Sequence, residues 1–325
     1  MSTPTVSAEL HRAALVAVRD CMGARPGERV LVVTDEPLRT IGYALRGAAV
    51  ELGHDVMLVE MLPRRTNGEE PPPEVAWLMT QVDLVLCPTS KSLTHTDSRR
   101  AASAKGVRVA TLPNVTEEIM VRCMNADYHR IAARTAKICE LMERTSVIRV
   151  TAPAGTDIAL PMAGRTAHAS HGLFREKGQW GNLPTGEAYL APLEGQSNGL
   201  VVVDGSMAGI GKVAEPLSIR VEHGYATDIR GGEAAAKLVA LLEPHGSDGR
   251  NVAEFGIGTN DRAIITGVIL EDEKVMGTIH VAFGDNKSMG GSVRVASHLD
   301  GLVLSPTVWF DDRMVMDAGR LLIDE

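Results

Sequence analysis

The sequence has no excess of positive charge. Its 33 lysines and arginines are outnumbered by 41 aspartates and glutamates, a formal charge of −8, and no segment gathers basic residues into a stripe. That composition excludes a surface built to neutralise phosphates, so neither nucleic acid nor an anionic membrane is an expected partner. There is also no apolar run approaching the ~18 residues of a bilayer span. The first residues, Met1-Ser2-Thr3-Pro4-Thr5, lack a basic region leading into an apolar core, so the expectation is a cytoplasmic protein. Cysteine is sparse: Cys21, Cys87, Cys123 and Cys139 show no Cys-x-x-Cys spacing, which argues against a zinc ribbon or a disulfide framework and leaves buried thiols. No Gly-x-Gly-x-x-Gly follows the first apolar strand. The loop there, Thr34-Asp35-Glu36-Pro37, offers no glycine nest for a pyrophosphate, and dinucleotide binding is disfavoured. Small-molecule partners remain.

What is present is ordinary globular material, 325 residues with 44% hydrophobic and 23% charged side chains. That length exceeds one comfortable core and predicts two domains. Residues 7 to 22 carry Leu10, Ala13, Ala14, Ala17 and Val18 at helical spacing, and Arg25-Pro26-Gly27-Glu28 then turns into the strand Arg29 to Asp35. Helix and strand repeat over Thr40 to Leu52 and His54 to Glu60, and further strands are predicted at Val82 to Cys87 and Val107 to Leu112. The alternation predicts an α/β domain over residues 1–147, a doubly wound, mostly parallel sheet. A long amphipathic helix, Tyr128 to Arg144, closes it. From Val147 onward short β-type runs and turns take over, predicting a mixed, β-rich domain over residues 148–325.

Chemistry concentrates in that second domain. His280, in Thr278-Ile279-His280-Val281-Ala282-Phe283-Gly284, and His298-Leu299-Asp300 lie close together in β-type segments; on a strand, His298 and Asp300 point to one face. Glu254, between Ala253 and Phe255, and Glu187, before Ala188, are carboxylates in apolar surroundings, costly to bury unless a cation or donors meet them. By contrast Glu271-Asp272-Glu273-Lys274 reads as a solvated hairpin turn. Two imidazoles with three carboxylates suit zinc, cobalt, manganese or ferrous iron better than calcium or copper.

Asn182-Leu183-Pro184-Thr185-Gly186-Glu187, then Glu254, then His280-x-x-Phe283-Gly284, then His298-x-Asp300, resembles the aminopeptidase T and aminopeptidase S family of metallopeptidases, in the same order and over essentially the whole chain. The resemblance implies that Glu187, Glu254, His280, His298 and Asp300 hold a pair of divalent ions, zinc, cobalt or manganese, with one carboxylate bridging. It further implies a homodimeric aminopeptidase-like hydrolase, a metalloprotease that directs metal-activated water at the N-terminal amide bond of small peptides or related amides. The family carries a tyrosine seven residues after the His280 position; this chain has Lys287, a candidate oxyanion donor of different reach. A related branch, the 2,5-dihydroxypyridine dioxygenases, is also similar, and implies instead one ferrous ion on two histidines and an aspartate. His280, His298 and Asp300 are its candidates, and His95, in the loop after the third strand, its candidate proton shuttle. A third expectation is a non-catalytic metal- or ligand-binding homologue with Lys287 in a metal's place. The aminopeptidase-like hydrolase is the leading expectation.

Overall fold

A computed structural model describes residues 4–323, and the chain divides into two compact units. The first comprises the chain up to His129 together with Gly172–Thr185; the second comprises Arg130–His171 and Gly186 onward. A single boundary at residue 147 therefore gives way to one at 129, with a later segment returning to the first unit.

The first unit is built on a five-stranded parallel sheet in the order Asp55–Met61, Arg29–Asp35, Leu84–Cys87, Arg108–Thr111, Trp180–Asn182. Val30 to Val33 are fully buried, as a strand covered on both faces requires. Intervening helices start and stop on local signals. Ser7 caps Ala8–Leu15 by accepting from the Leu10 amide, and Thr96 does the same for Asp97–Ala104 at the Arg99 amide. After Arg39–Glu51 the chain turns at Gly53, whose φ of 80° a side chain would resist. The expected single helix from 7 to 22 is instead Ala8–Leu15 followed by a π-helical turn, Val16–Cys21. The returning strand Trp180–Asn182 has no counterpart among the expected elements; at three residues between glycine-rich flanks it has no periodicity to read.

The second unit holds two antiparallel sheets, one of eight strands and one of seven. Their inward side chains form one core, with Ile148, Val150, Leu160, Val201 and Ile219 from the first and Phe255, Ile257, Ile279, Val281 and Phe283 from the second. Ile138 and Met142 of the helix Tyr128–Glu143 pack into it, while its buried Thr135 hydroxyl bonds the Thr259 hydroxyl at 2.7 Å. The α/β region with a parallel sheet followed by a β-rich region is thus as the sequence pattern predicts. All four cysteines are buried free thiols. Among the described residues no helix is long and apolar enough to cross a membrane.

Candidate metal centre

Four neighbouring strands of the seven-stranded sheet, His298–Leu304, Thr278–Gly284, Val252–Gly258 and Glu187–Leu190, carry all five predicted ligands on one face. Register makes this so: Gly258 pairs with Glu187, Gly256 with His280, and Ala282 with both Glu254 and Asp300. Because strand side chains alternate, Glu187, Glu254, His280, His298 and Asp300 rise together. Ala188, Phe255, Ile257, Val281 and Phe283 turn to the core behind them.

Small residues make the space. A Cβ at Gly256 would lie 2.1 Å from His280 Nε2, and one at Gly258 would lie 2.1 Å from the Val275 carbonyl oxygen. The first glycine admits the imidazole across the strand, and the second admits the backbone that carries Lys274.

The polar heads form a line of alternating charge. His280 Nε2 lies 3.1 Å from Glu254 Oε1 and 3.7 Å from Glu187 Oε2; His298 Nε2 lies 3.2 Å from Glu254 Oε2 and 3.5 Å from Asp300 Oδ1. Glu187 Oε1 in turn accepts from Lys274 Nζ at 2.6 Å, and Lys274 also bonds Glu273. His280 is fully buried, and Glu187, Glu254 and Asp300 are each 7% exposed. His298 Nδ1 donates to the Asp285 carbonyl at 2.8 Å, which fixes the ring and turns Nε2 toward the carboxylates. Among the described residues His280 Nδ1 is buried with no hydrogen-bond partner, so its Nε2 contacts and Gly256 orient it.

Burial opposes charge on His280, His298 and Glu254, yet the neighbours prevail. Burial alone would depress the His280 imidazole, but the Glu254 hydrogen bond and the charges of Glu254, Glu187 and Asp300 raise it to about 9. His298 is likewise held well above the usual range, against burial, by Asp300 and Glu254. Glu254 is driven down, again against burial, by hydrogen bonds from both imidazoles. Burial, with Glu187 and Asp300 nearby and Lys274 opposing, raises Glu273 to about 8.

Donor atoms of Glu187, Glu254 and His280, and separately of Glu254, His298 and Asp300, lie within 4.8 Å of one another. Such mixed nitrogen and oxygen sets suit a divalent transition ion. The other two predicted site residues are not among these donors. Lys287 is exposed, and its ammonium makes no ion pair among the described residues. His95 is an exposed residue of the first unit, its ring edge-on to Trp180 at 6.4 Å. The lysine at the carboxylates is Lys274, in the segment expected to be a solvated turn. That segment is buried: Glu271 and Asp272 are fully enclosed and Lys274 is 3% exposed. Asp272 accepts from the Thr266 and Gly267 amides at 2.7 and 2.8 Å, and Glu271 from the Ile264 amide at 3.0 Å. The acidic residues thus tie down a loop rather than face water. The signal available in sequence is the lone lysine ending the acidic run.

A parallel α/β unit followed by a β-rich unit, with imidazoles and carboxylates set for a divalent ion on one sheet face, defines the class of protein. Residues 13–323 match the family NicX, 2,5-dihydroxypyridine 5,6-dioxygenase, and the chain belongs to that family. It is 23% identical over 251 residues to the 2,5-dihydroxypyridine 5,6-dioxygenase of Pseudomonas putida KT2440, covering 72% of this chain and 69% of that one. The fold is similar to the solved 2,5-dihydroxypyridine dioxygenase from Pseudomonas putida KT2440 (TM-score 0.83, 21% identity, 99% of each chain). It is also similar to AmpT from Thermus thermophilus (TM-score 0.70, 17% identity, 97% of this chain and 99% of that one).

These findings correct the leading expectation. Membership of the aminopeptidase T and S family, and with it the hydrolase, aminopeptidase and metalloprotease reading, is overturned by the family match across nearly the whole chain; the relation to AmpT is one of fold. The motifs mislead because AmpT and this chain have similar folds, and a similar fold does not fix an activity.

Proposed function

We propose that this protein is a metal-dependent ring-cleaving dioxygenase acting on a small hydroxylated aromatic of the dihydroxypyridine kind, with one ferrous ion as its cofactor. The observation that carries this reading is the family match over residues 13–323. The donor set fits the ion: Glu254, His298 and Asp300 converge, His280 adjoins them, and the Asp285 carbonyl holds the His298 tautomer that leaves Nε2 for a metal. Ferrous iron with open positions would supply the one-electron chemistry that lets dioxygen react with an electron-rich ring.

The chain's own residues do the rest. Glu254, wedged between two imidazoles, orients both rings, and the pairing of the strands beneath sets the donors side by side before metal arrives. Asp300, beside His298, provides a second anionic oxygen. Lys274 on Glu187 already supplies positive charge at the far end of the line, which favours one ion over two.

Anaerobic loading with ferrous iron, followed by exposure to 2,5-dihydroxypyridine and oxygen, tests the proposal. The expected result is equimolar oxygen uptake with loss of the ring absorbance. Turnover of aminoacyl amides by the zinc-, cobalt- or manganese-loaded protein, without oxygen uptake on the aromatic, would overturn it.

A further inference from the structure

We infer that Lys274 is a resident cation that stands in the place of a second divalent ion and limits the centre to one metal. This rests on the reading that the cluster binds metal, and goes beyond it by naming the residue that sets the number.

The sheet face presents two overlapping sets of donors that share Glu254. One is Glu254, His298 and Asp300; the other is Glu187, Glu254 and His280. By ligand chemistry alone each suits a divalent ion. They differ in what already touches them. The first set is met by its own members and by His280 on Glu254, whereas Glu187 of the second accepts from the Lys274 ammonium at 2.6 Å, and the same ammonium bonds Glu273.

The lysine is built in. It is 3% exposed, its amide donates to the Glu271 carbonyl at 2.9 Å, and its carbonyl accepts from the Asn260 amide at 2.9 Å. Gly258 has no Cβ where the Val275 carbonyl passes. Backbone pairing on both sides therefore delivers the ammonium to Glu187, and a long side chain with this little freedom has lost most of the entropy that makes surface lysines poor partners.

Charge balance points the same way. The two donor sets hold three carboxylates, Glu187, Glu254 and Asp300, and Lys274 with a single divalent ion balances them. Adding a second ion beside Lys274 would leave the centre with two excess positive charges, while a neutral residue at 274 would halve that excess and vacate the place at Glu187. An ammonium also differs in kind from the ion it replaces: it donates hydrogen bonds but cannot coordinate and acidify a water. The centre thereby keeps its Lewis acid at the Asp300 end only.

The test is a metal count. Wild type, Lys274→Met, Lys274→Gln and Lys274→Arg are stripped, reloaded with manganese, cobalt or zinc, desalted and assayed for bound metal per chain, with circular dichroism to confirm folding. The inference expects one ion in wild type and Lys274→Arg, and two in the neutral variants, with exchange coupling between paired manganese ions in electron paramagnetic resonance. The glutamine variant keeps a hydrogen-bonding head should methionine not be accommodated. Two tightly held ions in wild type, or one ion in folded neutral variants, overturns the inference and leaves the metal centre standing. A wild type that holds no ion overturns both.

Discussion

Gly256 and His280 face each other across adjacent strands, and the imidazole occupies the volume that a side chain at 256 would need, 2.1 Å from its ideal Cβ position. The ring cannot retreat, because it is fully buried. Gly256→Ala is expected to push His280 off the carboxylates and to cost about 1–3 kcal/mol in overpacking. Bound metal, measured by elemental analysis, should fall along with the thermal midpoint. Full metal content in a folded Gly256→Ala variant would show that His280 has no part in binding.

Glu254 is, among the described residues, the carboxylate shared by both imidazoles. Glu254→Gln preserves its size and removes its charge. Metal affinity should drop by on the order of 100-fold, at the upper end of what loss of a supporting partner costs, and a competition titration with a chromophoric chelator would measure it. Affinity within a few-fold of wild type would place the ion elsewhere.

The imidazoles also give the metal-stripped protein a defined pH dependence. His280 is raised from 6.5 to about 9, so its contribution to stability is complete below 6.5 and is lost as pH rises through about 9. Glu254 is lowered from 4.5, so its share is complete above 4.5 and is lost in acid. Denaturant unfolding of the stripped protein should therefore show a plateau from roughly pH 4.5 to 6.5 and a decline toward pH 9.5. Metal uptake at pH 7 must displace these protons, and calorimetry in buffers of different ionisation enthalpy should register their release. Uptake at pH 7 without proton release would contradict the raised imidazole.

Asp272 holds the loop that leads to Lys274, accepting from the Thr266 and Gly267 amides. Asp272→Asn puts an amide where one of two amide donors expects an acceptor. The expected loss is about 1.5–3 kcal/mol, the range for hydrogen bonds to a charged group, with faster proteolysis between residues 261 and 268. Unchanged unfolding and proteolysis would mean that the loop is held by other contacts.

Much of the centre is legible in the sequence. Period-two alternation puts Glu187, Glu254, His280, His298 and Asp300 opposite an apolar face, and the strands at Arg29–Asp35 and Val147–Thr151 begin at the predicted residues. Lys274 is hidden because an acidic run beside a lysine has the composition of a wet turn. Its burial depends on backbone amides several residues away and on the missing Cβ of Gly258, none of which has a local signature. Lys287 draws attention through its place in a motif, yet it follows Asn286 into an exposed 3-10 turn. Motif order along the chain does not separate the two readings, since both relatives share this fold and a fold does not fix an activity.

The strand Trp180–Asn182 pairs in parallel with Arg108–Thr111, and this pairing constrains how the chain is made. As the polypeptide emerges, the edge of the first sheet stays bare until Asn182 has left the ribosome. By then the helix Tyr128–Glu143 and the strands Val147–Thr151 and Asp157–Pro161 are already outside. The first unit cannot be finished before the second is begun, and a fragment ending at residue 129 would expose an open sheet edge to its neighbours.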